Sequence, residues 1–205
     1  SDLIKSPSIL RQSAEYEVAM VQREITSKKR IEAHYFNLGE VLENPASKQN
    51  IKLSPRDQLI VFDTHSPRGN QVADMVRKLK SQATAFDPPG MFDARGYLRH
   101  QGEYPLEKGM RLLDAINVTG GVQVGTDTRY SLLVRKDQTT KNIEFIQLSL
   151  DKAKRKPFGD HNPVIKPEDR IYVFDSSIDR VELIKADLEQ VKTQTRYGDL
   201  SPVVR

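Results

Sequence analysis

One segment of the chain occurs twice, as LSPRDQLIVFD at residues 53–63 and as IKPEDRIYVFD at residues 165–175. In both places a Pro-x-Asp turn precedes a largely apolar run, which is typical of a turn that leads into a β-strand. The two occurrences are 112 positions apart. The same offset, kept without a gap, aligns further identical residues: Arg23 with Arg135, Ile31-Glu32 with Ile143-Glu144, Leu38 with Leu150, Pro45 with Pro157, Asn50 with Asn162, and Arg68 with Arg180. A register of this length indicates an internal duplication of small domains rather than a solenoid.

The offset predicts how the chain is organised. We expect residues 1–63 to be the C-terminal part of a first repeat and residues 89–175 to be a complete repeat. Linker helices are expected at residues 64–88 and 176–198, and the start of a further repeat at residues 199–205. The chain is therefore interpreted as a fragment of a longer protein.

Within the complete repeat, short strands are expected around one helix. Strands are predicted at residues 91–98 and 103–106, joined as a hairpin by the loop 99–102. A helix over residues 110–116 follows and is stopped by Gly120-Gly121. Three further strands are predicted at residues 129–135, 142–149 and 170–174.

Both linker helices carry start signals. Ser66 is the predicted N-cap of the first, with Pro67 at its first helical position, and Asp179 with Glu182 marks the start of the second. Their apolar stripes are Val72, Met75, Val76 and Leu79 in the first, and Val181, Ile184, Leu188 and Val191 in the second. Each stripe is expected to pack either against neighbouring domains or against the core of its own domain.

Composition excludes several classes of protein. The chain has 205 residues, of which 37% are hydrophobic, and this favours small domains over one deep core. The net charge is +4 with both signs interspersed, so nucleic acid is not indicated as a partner. Apolar runs stay well short of the roughly 18 residues that cross a bilayer. With no cysteine, disulfides and thiolate metal sites are excluded.

Motifs for catalysis, a cofactor or a metal are missing from the sequence. The glycine-rich residues 119–126 follow a predicted helix and lack the lysine of a P-loop, so they indicate a helix stop and a turn. Metal-ligand spacing is not found among the four histidines, His34, His65, His100 and His161. We therefore expect a protein that is not an enzyme and has neither a cofactor nor a metal site.

Two recurrent features favour a structural interpretation. Asp57 and Asp169 precede the same strand in the two repeats, where each carboxylate is expected to accept N–H groups of its own turn. The alternative is a ligand site that both repeats share. The basic residues 152–156 are expected to be a solvated loop or the end of a helix.

The predicted hairpin is the better candidate for ligand binding. Its mixture of aromatic rings and polar donors suits a sugar, because rings stack on apolar sugar faces while planar donors satisfy hydroxyls. The alternative is a solvated face of an antiparallel sheet. The candidate residues are Arg95, Tyr97, Arg99, His100, Gln101 and Tyr104.

The order of these motifs resembles a known family. Residues 94–116, Gly120-Gly121, residues 130–135 and residues 165–175 look like an SLBB domain, the soluble-ligand-binding β-grasp. More narrowly, they are similar to the tandem SLBB repeats of bacterial polysaccharide export proteins, with Gln101-Gly102 where the family usually has Pro-Gly. The resemblance implies an α+β fold of tandem β-grasp domains, each a small mixed sheet crossed by a helix, joined by linker helices.

The resemblance also implies a function. It predicts the periplasmic part of an outer-membrane polysaccharide export protein that forms or lines the conduit for capsule or exopolysaccharide. The implied partners are the polysaccharide, held weakly and transiently, further copies of the full-length protein in a ring, and an inner-membrane polymerisation or co-export protein. The alternatives are a non-catalytic protein–protein docking module and a small-ligand or sugar-binding domain.

Overall fold

The chain is an α+β protein, as the sequence predicts. A computed structural model describes residues 4, 7–25, 27, 30–84, 87–137, 140 and 142–176. The second predicted linker helix, from residue 177 onward, and the predicted start of a further repeat at residues 199–205 lie outside the described residues. The start signals Asp179 and Glu182 lie outside them as well.

The polypeptide divides into two compact units, each assembled from separate stretches of sequence. The first unit comprises residues 1–92, 102–110 and 165–167. The second comprises residues 93–101, 111–164 and 168–205.

Eight strands, four α-helices and one short 3-10 turn make up the described part of the chain. The elements up to residue 81 are the 3-10 turn Pro7–Ile9, β1 (Ala14–Ile25), β2 (Arg30–Phe36), α1 (Leu38–Glu43), β3 (Gln58–Asp63) and α2 (Arg68–Ser81). Those that follow are β4 (Met91–Gly96), β5 (Gly102–Pro105), α3 (Leu112–Val118), β6 (Thr126–Lys136), β7 (Ile143–Leu148), α4 (Leu150–Arg155) and β8 (Arg170–Asp175).

The strands form two sheets. The smaller sheet has the order β2-β1-β3, with β1 antiparallel to both neighbours and β3 at the edge. The larger sheet has the order β5-β4-β8-β6-β7. It is a mixed sheet, because β4 runs parallel to β8 whereas β6 runs antiparallel to β7 and β8.

The duplication seen in the sequence is also a duplication of structure. At the offset of 112, α1 coincides with α4 and β3 with β8, residue for residue. The pairing of β1 with β3 shifts register between Ala14 and Ala19, and the pairing of β6 with β8 shifts between Thr126 and Ser131, the positions that correspond. We call residues 1–63 the first copy and residues 113–175 the second copy.

Each unit buries its own apolar residues. In the first unit, Phe62 on β3 and Met20 on β1 are fully buried, and α2 buries the predicted stripe of Val72, Met75, Val76 and Leu79. In the second unit, Leu132, Val134, Tyr172 and Phe174 form a cluster on β6 and β8. These strands alternate between the two faces of the sheet, so Leu133 and Ile171 are buried on the opposite face.

The start of α2 corrects one prediction. Ser66 is not the N-cap: Pro67 holds that place with ψ of 123°, and the helix begins at Arg68. A glutamine inside the helix supplies the hydrogen bonds that a Ser66 cap would have made. The Nε2 group of Gln71 donates to the carbonyls of Asp63 and Ser66 at 3.0 Å, and its Oε1 accepts from the Asp63 N–H at 2.8 Å.

The complete repeat, residues 89–175, holds two helices where one was predicted. The helix predicted over 110–116 is α3, displaced by two residues, and α4 is additional. In α4 the Ser149 hydroxyl caps the N-terminus by accepting from the Lys152 N–H at 3.3 Å, and in α1 Asn37 does the same for Glu40 at 2.8 Å. Six-residue helices of this kind are too short to show a clear 3.6-residue period, so only the caps mark them in the sequence.

Candidate functional site

The segment that follows β4, residues 97–101, carries four of the six residues predicted to bind a ligand, and its backbone is held in place. The N–H of Arg99 donates to the carbonyl of Gly121 at 3.0 Å, and the N–H of His100 donates to Thr119 at 3.0 Å. These bonds join residues 97–101 to the glycine-rich segment 119–126. The glycine-rich segment therefore forms the turn that the sequence predicts, and in the structure this turn also supports the predicted binding loop.

The side chains of this loop differ in what they offer to a ligand. Arg99 and Gln101 are exposed, whereas Tyr97 and His100 are half-buried. The Oε1 of Gln101 accepts the N–H of Gly96 at 3.1 Å, which fixes the amide at the end of β4. Arg99 and the Tyr97 ring are the groups that this loop can present to a hydroxylated ligand.

The predicted site residue Arg95 has an acidic partner. Its Nε donates to Oδ2 of Asp93 at 2.8 Å, and the Asp93 carboxylate is almost fully buried while the guanidinium is more than one-third exposed. The arginine therefore balances a buried charge at one end and still reaches solvent at the other.

The last predicted residue, Tyr104, is part of the core of the first unit. Its side chain is fully buried, and its ring stacks on Phe92 with centroids 5.8 Å apart. Burial raises the pKa of the Tyr104 hydroxyl well above its usual range, because the phenolate would lose its hydration. A sugar needs an exposed ring face, and Tyr104 does not have one.

Two exposed residues of the second unit were not among the predicted site residues. Val124 is 98% exposed in the glycine-rich turn, and the Arg129 side chain is 83% exposed at the start of β6. The Arg129 Nε lies 3.3 Å from Oδ1 of Asp127. A signal for Val124 is present in the sequence, because it is an apolar residue between a polar residue and a glycine. A turn needs glycine and polar residues at such positions and does not require a valine.

Buried ion pairs connect the turn before the last strand of each copy to a long strand. In the first copy, Arg23 of β1 donates from Nη2 to Oδ2 of Asp57 at 2.7 Å and from Nε to Oδ1 at 3.1 Å. The same Nη2 donates to the Lys52 carbonyl at 2.8 Å. The hydrogen bond from Arg23 holds the pKa of the Asp57 carboxyl below its usual value, and the pKa of Arg23 is raised in return.

The second copy repeats this arrangement. Arg135 of β6 donates from Nη2 to Oδ2 of Asp169 at 2.6 Å and from Nε to Oδ1 at 2.9 Å, and its Nη2 also reaches the Val164 carbonyl at 2.9 Å. Each atom pair matches its first-copy counterpart at the offset of 112. We call these two ion pairs the clasps.

The clasps explain why Asp57 and Asp169 recur. Asp57 accepts the N–H of Ser54 at 2.7 Å, so the predicted bond within its own turn is present. The arginine partner was missed, although Arg23 and Arg135 align at the same offset as the two aspartates. Since the Asp57 and Asp169 side chains are only 3% and 1% exposed, neither carboxylate has the accessible surface that a shared ligand site needs.

The second copy also has an exposed aromatic residue. Phe158 is 86% exposed, and the guanidinium carbon of Arg111 lies 5.2 Å from the centroid of its ring. A cation over an aromatic face stabilises an exposed ring by about 0.5–1 kcal/mol. Phe158 therefore adds a second apolar group to the surface of the second unit, besides Val124.

Comparison of the chain with protein-family models and with curated proteins gave no match. Among the described residues, no three histidine, aspartate or glutamate side chains are grouped so that they would hold a metal ion. No helix in this part of the chain has the length and apolar character that spanning a membrane requires.

Proposed function

We propose that the chain is a periplasmic part of an outer-membrane polysaccharide export protein, in which tandem β-grasp repeats form or line the conduit. The proposal rests on the SLBB-like order of motifs between residues 94 and 175. The elements from β4 onward support it: two strands, the helix α3 and then three strands follow in the order that the resemblance implies, with α4 as an additional helix between β7 and β8. This protein is proposed to be a non-enzymatic component of export.

The repeated clasp supports the tandem-repeat part of the proposal. Two copies that keep the same arginine, aspartate and carbonyl partners are two versions of one folding unit. Repeated units within one chain suit a protein that builds an extended wall. When one interface recurs between identical subunits, such chains can close into a ring.

The exposed loop suits a polymer in transit. Arg99 is a solvated donor, and Tyr97 offers part of a ring. Contacts of this kind are weak individually and add up over the subunits of a ring. A conduit requires weak contacts, since a tightly held polymer would stall.

The alternative, a protein–protein docking module, is favoured by the exposed apolar side chains of the second unit. Val124 is 98% exposed and Phe158 is 86% exposed. Apolar residues exposed to this degree gain most when a protein partner covers them. The experiment below distinguishes this alternative from the conduit.

The test uses the full-length gene in its parent strain. We expect deletion of the gene to abolish surface polysaccharide with polymer retained in the cell, and the wild-type gene to restore export. Arg99→Ala in the full-length protein is expected to reduce export while ring assembly persists. Arg77→Ala, at an exposed arginine of α2 whose contact is the i,i+3 partner Asp74, is the matched control and is expected to export normally.

Three outcomes decide between the alternatives. Reduced export with intact assembly in Arg99→Ala supports the conduit. Loss of assembly caused by Val124→Ser or Phe158→Ser, with Arg99→Ala unaffected, supports the docking module. Normal surface polysaccharide in the deletion strain refutes export, and a sub-micromolar dissociation constant of the chain for the polymer contradicts transient contact.

A further inference from the structure

Two segments that correspond between the copies carry opposite charges. The first comprises α1 with the loop after it, residues 37–50, and the second comprises α4 with its loop, residues 149–162. At the offset of 112, three positions are charged in both segments, and the sign is reversed at each of them. The three pairs are Glu40 with Lys152, Glu43 with Arg155, and Lys48 with Asp160.

The reversed charges lie on equivalent backbones. After α1 the N–H of Asn44 donates to the Glu40 carbonyl at 2.8 Å, and after α4 the N–H of Lys156 donates to the Lys152 carbonyl at 3.0 Å. The last residue of each segment then closes the loop, because its Nδ2 donates to a proline carbonyl at 2.7 Å. These bonds join Asn50 to Pro45 and Asn162 to Pro157. A difference in local fold therefore does not explain the reversal.

All six side chains are exposed, so the charges reach the surface of their own unit. The second copy leaves these positions exposed although α3 packs against α4 there, so a helix packed in the same way on α1 would leave them exposed as well. We call the exposed surface of residues 37–50 the acidic face and that of residues 149–162 the basic face. Lys154 and Lys156 add to the positive charge of the basic face.

Charges that act within a copy keep their sign, in contrast to those of the two faces. Both clasps pair an arginine with an aspartate at the same positions. Among the described residues, the ion pairs include none of the six face residues. The sign of these charges is therefore not set by an ion pair inside the copy, and a partner with the opposite pattern would set it.

The two faces are complementary to each other and repel themselves. When the acidic face meets the basic face about a local twofold axis, each glutamate lies opposite a cation and Lys48 lies opposite Asp160. Two acidic faces placed in the same way would oppose glutamate to glutamate and lysine to lysine. Opposite charges across an interface select a partner, and like charges exclude the wrong one.

The basic face also has an apolar group that suits a protein partner. Phe158 is 86% exposed, and at the equivalent position the acidic face has the small residue Ala46, which leaves room for a ring. Aromatic residues are enriched at the centres of protein–protein interfaces. The pairing of Asp160 with Lys48 favours a protein face over a polyanion, because Asp160 would repel a polyanion.

We propose that the acidic face of one chain binds the basic face of another copy of this chain. Because the two faces are different surfaces, the contact is heterologous and links chains head to tail, into a ring or an open filament. Exposed ion pairs contribute little each and are screened by salt, so the association is weak and sensitive to salt. The inference holds for a conduit and for a docking module alike, because it rests on the charges of the two copies.

The test measures the molar mass of the 205-residue chain by sedimentation equilibrium, from micromolar to millimolar concentration. We expect the wild type to associate, with a dissociation constant that rises about tenfold when the ionic strength is raised from about 0.02 M to about 0.5 M. The exchange of Asp74→Arg with Arg77→Asp reverses an exposed ion pair of α2, outside both faces. This variant is the matched control and is expected to associate as the wild type does.

Charge-reversed variants identify the two faces. One triple variant, Glu40→Lys with Glu43→Arg and Lys48→Asp, gives the chain two basic faces. The other, Lys152→Glu with Arg155→Glu and Asp160→Lys, gives it two acidic faces. Neither variant is expected to associate alone, whereas an equimolar mixture of the two is expected to associate.

The fold is expected to tolerate these changes, because each one introduces the residue that the other copy has on the same backbone. Circular dichroism checks this. If a triple variant is unfolded, the single reversals Glu43→Arg and Arg155→Glu replace the two triple variants in the same mixing experiment.

Three results would overturn the proposal. One is a wild-type chain that stays monomeric up to millimolar concentration at low salt. Another is association of either reversed variant alone, or a mixture of the two that does not associate. The third is loss of association on reversing the basic face only, which would show that this face binds a different acidic surface. None of these results bears on export, which the deletion strain tests separately.

Discussion

Removing the arginine of the second clasp should destabilise the second unit more than removing the arginine of the first destabilises the first unit. The Asp169 side chain is 1% exposed and the Arg135 side chain 13%, whereas Asp57 is 3% exposed and Arg23 22%. Arg135→Met leaves a carboxylate that is shielded from water without its cation. Breaking a buried ion pair from one side costs about 3–5 kcal/mol.

The first clasp should lose less. Arg23 is the more solvated of the two arginines, because 22% of its side chain is exposed against 13% of the Arg135 side chain. The loss is then close to that of hydrogen bonds to a charged group, about 1.5–3 kcal/mol. We therefore expect Arg135→Met to cost at least about 1 kcal/mol more than Arg23→Met.

Native-state hydrogen exchange measures this difference, because it reads the opening free energy of β8 and of β3 separately in one molecule. A second variant isolates the unpaired charge. Arg135→Met with Asp169→Asn removes both charges and is expected to recover a large part of the loss, as replacements of whole buried ion pairs do. The reasoning is refuted if Arg135→Met costs under about 1 kcal/mol, or if the double variant is no more stable than the single one.

Two further predictions concern backbone conformation and pH. Gly96→Ala should lower the melting temperature much more than Gly109→Ala: both glycines have positive φ, but a Cβ at Gly96 would lie 2.0 Å from the Val173 carbonyl oxygen, whereas one at Gly109 meets nothing within 4 Å. Similar losses in thermal melts would contradict this. The lowered pKa of Asp57, caused by the Arg23 hydrogen bond, stabilises the fold above the unfolded-state pKa of about 3.9, and this stabilisation is lost as the pH falls through the folded-state pKa. Asp57→Asn should therefore lose less unfolding free energy between pH 5 and pH 2 in urea titrations than the wild type, and an equal loss in both proteins would count against the role of the clasp.

Much of the fold can be predicted from the sequence because the duplication supplies two independent views of each element. One repeated pattern predicts two strands, one ending at Asp63 and one ending at Asp175, and both are present as β3 and β8. The stripe of α2 is likewise buried as its helical spacing predicts. Where a pattern extends over several turns or strands, burial of its apolar residues decides the structure.

Short and side-chain-dependent features could not be predicted in the same way. The start of α2 depends on Gln71, whose side chain hydrogen-bonds to the backbone of Asp63. The residue preferences of N-cap positions do not predict this contact, because it comes from a residue inside the helix. The burial of Tyr104 depends on Phe92, which lies twelve residues away. In a sequence, a tyrosine within a strand is equally compatible with ligand binding and with a place in the hydrophobic core. The sequence alone therefore could not exclude Tyr104 from the candidate site.

The strand order of the smaller sheet makes the two copies unequal in one respect. β8 lies between β4 and β6, and its backbone groups are paired on both sides, whereas β3 is an edge strand. Edge strands present a row of N–H and C=O groups to any extended polypeptide that approaches. The two copies therefore share one sequence pattern but differ in the accessibility of their last strand: β8 is closed to intermolecular strand addition, whereas β3 lies at an edge of the described sheet where a strand of another chain can add, as β7 does in the second unit.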